Sequence, residues 1–376
     1  MNWKIPLFKI YWDEKDVNSI TESIKLGMYW TEGPNVENFE KKISKYIGTK
    51  YCVTFNSGTS ALHTSLMSYD VKNGDEVIVP SFTFIATANA PLFVGAKPVF
   101  ADIEENTFGL NPEDVNEKIT NKTKAIIPVH YGGCPCNIKV LKEIAEDNKL
   151  ILIEDAAEAF GAKIGKEKIG TFGDSSLFSF CQNKIITTGE GGAITTNSKE
   201  TYNKLKLIHS QGRAEIKDYF FSTNIADYVS LGYNFRMSNI TASLGLSQIS
   251  KTDKLIERRR KNSKYLTAKI KDCNIKFMNP SKDYFNVYQL YSIRIDKKLR
   301  NQLMAYLEKK GIMTKIYFYP VHKTHFYKNV LGYTCNLEVT ETLSEEILTL
   351  PMFPSLSKPE MDIISREIKN FFMEIG

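Results

Sequence analysis

One lysine, Lys184, stands in the run Phe178-Ser179-Phe180-Cys181-Gln182-Asn183-Lys184-Ile185-Ile186-Thr187-Thr188-Gly189-Glu190-Gly191-Gly192. An apolar strand pattern (Leu177, Phe178, Phe180) enters from one side and a glycine-rich turn leaves on the other. An amine held between buried apolar residues and backbone of little bulk suits condensation with an aldehyde better than solvation. A free lysine titrates near ~10.4, so work as a nucleophile and base near neutrality needs a shift of roughly three units. Imine formation beside a cationic ring supplies that shift more readily than burial alone.

Two other groups fit such an aldehyde. Ser57-Gly58-Thr59-Ser60 precedes a helical pattern, so its N–H groups and hydroxyls face outward at a positive dipole end, and Ser179 can add a hydroxyl to the same anion. Asp155 closes the apolar strand Leu150-Ile151-Leu152-Ile153-Glu154. Its carboxylate can meet a protonated pyridine nitrogen, or it can cap a helix beginning at Ala156. Amine, anion cradle and acid together match pyridoxal phosphate. Phe84 is a candidate for stacking on the ring or a core aromatic, and His130 either approaches the site or is a structural histidine. His322 either crosses a cleft to substrate or is a loop histidine. Loops around Trp30, Arg213, Tyr317 and His322 are the substrate candidates.

The elements that must place these groups are legible from periodicity. Helices are expected over residues 35–47, 58–67, 85–93 and 139–148, and strands over 51–55, 76–79, 98–101, 125–129 and 150–153. That alternation predicts an α/β fold with a mostly parallel central sheet flanked by helices, whose ligand site lies beyond the carboxyl ends of the strands. Ser57, Asp155 and Lys184 all fall there. From about Ser247 a long helical pattern leads away, followed by a strand over 288–295, a helix over 300–309 and a strand over 312–319. Residues 1–255 are therefore expected to form a large cofactor-binding domain and residues 256–376 a smaller α/β domain.

Composition narrows the partners. The charge balance of 49 basic against 43 acidic residues gives +6, too small and dispersed for nucleic acid but suited to an anionic small substrate. The basic run Arg258-Arg259-Arg260-Lys261 lies in a helical pattern and reads as a solvated face. Six cysteines make no disulfide framework; Cys52 and Cys181 read as small buried hydrophobes. Cys134-Pro135-Cys136 lacks a second pair, so no metal is expected. The N-terminal stretch has no signal-peptide core and no apolar run is of spanning length, so no membrane and a cytoplasmic setting are expected.

The ordered motifs resemble the sugar aminotransferases of the DegT/DnrJ/EryC1/StrS family, within fold type I pyridoxal-phosphate enzymes. They are Thr31-Glu32-Gly33-Pro34 with Phe39-Glu40, Asn56-Ser57-Gly58-Thr59-Ser60-Ala61-Leu62, Pro80-Ser81-Phe82-Thr83-Phe84-Ile85-Ala86-Thr87, Glu154-Asp155-Ala156-Ala157-Glu158-Ala159, Lys184 with Thr188-Gly189-Glu190-Gly191-Gly192, and Gly232-Tyr233-Asn234-Phe235-Arg236-Met237. The resemblance implies that Lys184 forms the imine with the cofactor, Asp155 meets the pyridine nitrogen, Phe84 stacks on the ring, and Gly58, Thr59 and Ser179 hold the phosphate. Asn234 is implied to serve the cofactor phosphate of a neighbouring subunit, hence a homodimer with shared sites. Glu158 stands where many relatives have glutamine or histidine, near the cofactor hydroxyl or the sugar. Lys184 argues against the branch that carries histidine there and dehydrates its substrate. The implied reaction moves an amino group from L-glutamate to a nucleotide-linked keto sugar. The wording Asn183-Lys184-Ile185-Ile186-Thr187-Thr188 resembles perosamine-synthase-like enzymes, which aminate C4 of a 4-keto-6-deoxy sugar for surface polysaccharide. Amination at C3 and a non-catalytic cofactor-binding protein are the alternatives. An NAD oxidoreductase would need a strand–GxGxxG–helix unit, a spacing that Gly189-Glu190-Gly191-Gly192 lacks.

Overall fold

Short apolar strands alternate with helices through the N-terminal half of the chain, in a computed structural model that describes residues 3–214 and 219–375. In chain order the strands are β1 (Tyr51–Phe55), β2 (Glu76–Pro80), β3 (Lys97–Ala101), β4 (Thr123–Ile126), β5 (Ile151–Asp155), the ribbon pair β6 (Lys163–Ile164) and β7 (Glu167–Lys168), then β8 (Ser175–Ser179) and β9 (Gly192–Thr196). Seven of them make one sheet in the order β1-β9-β8-β5-β4-β2-β3. The pairs within β3-β2-β4-β5-β8 are parallel, while β9 runs antiparallel to both β1 and β8. A parallel neighbour needs a long crossover, a helix in most cases and the β6–β7 ribbon with its turns between β5 and β8, whereas β8 passes to β9 through a single loop and returns antiparallel. That loop carries Lys184.

Helices cover both faces, so strand residues such as Val53, Val77, Ile78, Val79, Ile126 and Ile153 are buried. On one face Phe39, Ile43 and Ile47 of the helix Pro34–Ile47 pack with Ile138 and Leu141 of the helix Ile138–Asp147. On the other, Leu62 and Leu66 of the helix Gly58–Ser68 meet Ala88, Ala90 and Leu205. Each fully buried Ile, Leu or Phe contributes about 1.5–3 kcal/mol.

The C-terminal part adds β10 (Lys276–Phe277), β11 (Tyr284–Phe285), β12 (Tyr291–Arg294) and β13 (Ile347–Leu350). Three make a sheet in the order β10-β12-β13, covered by the helices Thr252–Ile270, Lys297–Lys309 and Lys358–Ile375, while β11 leaves them to pair with β6. The two cores exchange chain. Ile5 is buried with the C-terminal cluster and bridges Ile312; Val321, Tyr327 and Leu337 return to the cluster of Val53, Phe55 and Leu62.

Three expectations change. Residues 312–319 form no strand: their sheet-like pairings among the described residues are single bridges, Ile312 with Ile5 and Lys315 with Thr349. Ile312 packs in the C-terminal core, while Ile316, Tyr317 and Phe318 pack in a further cluster with Phe82 and Tyr131, so the apolar residues there serve two clusters. The long helical pattern is two helices, Asn239–Ile249 and Thr252–Ile270. The basic run is not wholly a solvated face, since Arg259 is 2% exposed. Its Nη1 donates to the carbonyls of Tyr288, Gln289 and Met352, so the arginine fastens loops that a shorter side chain could not reach. Arg260 lies over the Phe285 ring, 3.9 Å from its centroid. No helix among the described residues is long and apolar enough to cross a membrane. Cys52, Cys134 and Cys136 are buried free thiols, and Cys181 is only partly covered.

Candidate active site

The anion cradle forms where β1 turns into the helix Gly58–Ser68. Ser57 is extended and its hydroxyl accepts the Ser60 N–H, which leaves the first N–H groups pointing out of the helix end. A Cβ on Gly58 would lie 3.2 Å from the Cβ of Ser179, so the end of β8 is pressed against the cradle. Gly192 closes the third side: a Cβ there would sit 2.6 Å from the Ser57 carbonyl oxygen and 2.8 Å from the Gly58 nitrogen.

Asp155, 4% exposed at the end of β5, accepts the Thr87 hydroxyl at 2.7 Å on Oδ2 and the Ala157 N–H at 3.1 Å on Oδ1. The Thr83 hydroxyl, 2.9 Å from Thr87 Oγ1, supports that donor in turn. No helix begins at Ala156; turns follow instead, so the alternative role of helix cap is overturned. Burial raises the Asp155 pKa, against the lowering effects of Thr87, the Ala157 N–H and Lys184. Such a carboxylate feels the Lys184 charge but has no direct ion-pair partner among the described residues, and would gain one from a protonated ring nitrogen.

Its neighbour on the strand does different work. Glu154 is fully buried and accepts from the Gly170, Phe172 and Gly173 N–H groups, the Ser176 hydroxyl and His130 Nε2. Burial pushes its pKa up, but His130 and these N–H groups outweigh it and hold the carboxyl below its usual range. His130 Nδ1 accepts the Cys136 N–H, so both ring nitrogens are engaged and the residue is structural, behind the site.

Lys184 lies in the loop from β8 to β9, whose base is closed by the Phe180 N–H on the Gly191 carbonyl and the Thr188 N–H on the Phe180 carbonyl. Gly189 adopts φ +84, a conformation that a residue with a Cβ rarely takes. The Lys184 side chain is 15% exposed and its Nζ rests 3.3 Å from Glu158 Oε1. Glu158 also accepts the Gly132 N–H at 2.8 Å, which gives that acid a definite position. Gln289 Nε2 braces the loop from the C-terminal part by donating to the Asn183 carbonyl at 2.5 Å.

Phe84 caps the helix Ile85–Phe93 without a side-chain bond and is 61% exposed, while Phe82, two residues earlier, is fully buried. It is therefore not a core aromatic, and an exposed ring beside Asp155's hydrogen-bond chain fits a stacking role. The remaining candidates divide. Tyr317 is near the Lys184 loop, lining a small cleft with Asn183 and Gln289. Trp30 is half exposed. Arg213 is 9% exposed, donates to Glu32 at 2.8 Å and covers the Tyr219 ring, so its charge is already engaged. His322, 4% exposed, has both nitrogens occupied by Ser81 and Glu341, which corrects the expectation that it reaches substrate. Asn234 is exposed, and its carbonyl lies 3.4 Å from Asn56 Nδ2, next to the cradle.

Sequence reasoning missed Thr87, Gly132 and Gln289 as supports. Thr87 had a signal, a threonine four residues from Thr83 in a helix that opens beside Phe84. The other two come from distant segments and had none. The donor set fits pyridoxal phosphate: a buried acid with no direct ion pair among the described residues, an outward aromatic, an amine, and a helix end that Gly58, Ser179 and Gly192 keep free of side-chain bulk.

Comparison with known proteins gives the same reading. A GDP-perosamine synthase of Escherichia coli O157:H7 is 36% identical over 371 residues, covering 98% of this chain and 99% of the relative. Among solved structures, a putative sugar aminotransferase of Streptococcus pneumoniae in its PMP form superposes with a TM-score of 0.94 at 27% identity, covering 99% of this chain and 100% of that one. PseC of Helicobacter pylori, an aminotransferase of pseudoaminic acid biosynthesis, gives 0.92 at 28% identity, covering 98% and 99%. The family pattern itself matches residues 11–369, and the chain belongs to the DegT/DnrJ/EryC1/StrS aminotransferase family.

Proposed function

We propose that this pyridoxal-phosphate-dependent aminotransferase moves an amino group from L-glutamate to C4 of a GDP-linked 4-keto-6-deoxy sugar, in the manner of the perosamine synthases, for polysaccharide biosynthesis. The observation that carries the reading is the Lys184 amine resting on Glu158 beside the buried, hydroxyl-braced carboxylate of Asp155. When bound, the cofactor supplies an aldehyde that takes up an amino group and a ring that withdraws electrons from the neighbouring carbon. Asp155 holds the ring nitrogen's proton, and Thr87 and Ala157 keep its two oxygens oriented. The N–H groups of Gly58 and Thr59, with the Ser179 hydroxyl, bind the phosphate at the positive helix end. Phe84 covers one ring face and excludes water from it. Lys184 Nζ, 3.3 Å from Glu158 Oε1, would be the group that takes up and returns the proton of the substrate carbon, and Glu158 gives the amine a resting place between transfers.

We also propose a homodimer in which Asn234 serves the partner's phosphate. Support comes from the same segment: Phe220, Phe221, Ile225, Val229 and Leu231 are all more than half exposed, an apolar set that a second copy would cover. The test is to supply GDP-, UDP- and dTDP-linked 4-keto-6-deoxy sugars with L-glutamate and follow 2-oxoglutarate release and product NMR. An amine at C4 of the GDP-linked product is expected. Amination at C3 replaces the regiochemistry; no 2-oxoglutarate from any acceptor would leave a cofactor-binding protein without the reaction.

A further inference from the structure

The loop between β2 and Phe84 is gripped from a part of the chain far away in sequence. The Val321 N–H donates to the Ser81 carbonyl at 2.9 Å, and the His322 N–H donates to Ser81 Oγ at 3.0 Å. Ser81 Oγ lies a further 2.7 Å from His322 Nδ1. On its other side His322 Nε2 is 3.3 Å from Glu341 Oε1. A carboxylate only accepts, so the ring proton is on Nε2 and Nδ1 is left to accept the Ser81 hydroxyl. Burial lowers the His322 pKa, against the opposing pull of Glu341, which agrees with a neutral ring. Glu341 is itself fixed by an ion pair with Lys323, and the helix Glu338–Glu346 that carries it is anchored where Asp102 accepts the Val339 and Thr340 N–H groups at 2.9 Å each.

Ser81 is fully buried and His322 nearly so, so these bonds are sheltered from water. Downstream of Ser81 the chain passes through buried Phe82 to Thr83, whose hydroxyl supports Thr87, and Thr87 donates to Asp155. Phe84 sits within the same stretch. One hydrogen-bonded line thus runs from Glu341 through His322 to Ser81, and its loop carries both the exposed aromatic and the braces of the acid.

We propose that His322 is a positioning residue: by holding Ser81 it sets the angle of the Ser81–Phe84 loop, and with it the seat of the cofactor ring between Phe84 and Asp155. The proposal rests on the cofactor reading above. It excludes direct contact between His322 and the sugar, because neither nitrogen is free.

The test compares His322→Phe, His322→Asn, Ser81→Ala and the double variant Ser81→Ala/His322→Phe with the wild-type holoenzyme. Asparagine offers an acceptor near the place of Nδ1. Three readouts are taken: the dissociation constant of pyridoxal phosphate from the apoprotein, the visible circular dichroism of the bound cofactor, and kcat and KM. His322→Phe and Ser81→Ala should each weaken cofactor affinity and lower kcat by on the order of tenfold to a hundredfold, as displaced positioning groups do. Each should change the dichroism and leave the sugar KM within about twofold. The double variant should be no worse than either single one, and His322→Asn should restore the dichroism. Unchanged cofactor affinity and dichroism in a folded Ser81→Ala would overturn the proposal, as would a His322 variant that raises only the sugar KM. Failure of the wild type to bind the cofactor or to transaminate would sink the functional reading instead.

Discussion

At the scale of single residues, adjacent acids on one strand have opposite fates because their partners differ. Glu154 is saturated by donors, while Asp155 has two neutral donors and, among the described residues, no direct ion pair. An acid whose folded pKa is raised binds its proton more tightly than in the unfolded chain. Asp155 therefore costs stability at neutral pH in the cofactor-free protein, a cost relieved as pH falls through the raised value. A protonated ring nitrogen relieves it at neutral pH. Ligand at about a hundred times its Kd adds ~2.7 kcal/mol of stability. Asp155→Asn should shrink the gain in Tm on adding pyridoxal phosphate, and equal gains in both proteins would refute the pairing. Lys184→Ala should abolish the visible band of lysine-bound cofactor and turnover while keeping the fold; retained turnover would remove the lysine from the mechanism.

At the scale of elements, function depends on where strand and helix ends touch. Gly192 opens β9 against the backbone that opens the helix Gly58–Ser68, and neither backbone can yield as a flexible side chain would. Gly192→Ala should cost about 1–3 kcal/mol by overpacking and weaken phosphate binding as well. Urea unfolding and phosphate-dependent cofactor affinity check it; an unchanged protein would mean that the two ends slide apart freely. The helix Lys199–Ile208 offers a second case. Its C-cap, His209, would gain from a positive charge at that end, yet burial, together with Lys206, Arg236 and Arg213, pushes its pKa down to about 3. Because the folded state refuses the proton, its contribution is complete above the unfolded value of ~6.5 and drains away as pH falls toward 3. Between pH ~6.5 and 5, above most carboxylate titration, wild type should lose stability on a slope that steepens to on the order of 1 kcal/mol per pH unit from this group. His209→Gln should lack that slope in urea titrations; identical slopes would show that His209 is not the titrating group.

At the scale of the whole molecule, we propose a large and a small domain dividing near residue 255, and the chain crosses that boundary more than once. Ile5 belongs to the C-terminal core, and Val321, Tyr327 and Leu337 belong to the N-terminal one. Such exchange lets His322 and Gln289 support loops of the cofactor site from distant sequence. The proposed second copy extends the same logic between subunits. Asn234→Ala should weaken cofactor retention without changing the sedimentation of the dimer. A monomeric wild type, or a variant that holds its cofactor normally, would discard shared sites.

The central strands and helices, the cradle, the acid and the lysine were legible in the sequence because each is written locally: apolar period, cap residue, strand-end carboxylate, glycine turn. The run Ile312 to Tyr319 misled for the same reason, since its alternation serves two cores rather than a ladder. Arg259 looked solvated because a charge run says nothing about which of its members meets three buried carbonyls. Whether Phe84 faced out or in, where Glu158 pointed and what His322 held were settled only by tertiary structure. Those answers depend on which distant backbone groups lie within hydrogen-bonding range, and local periodicity carries no record of that distance.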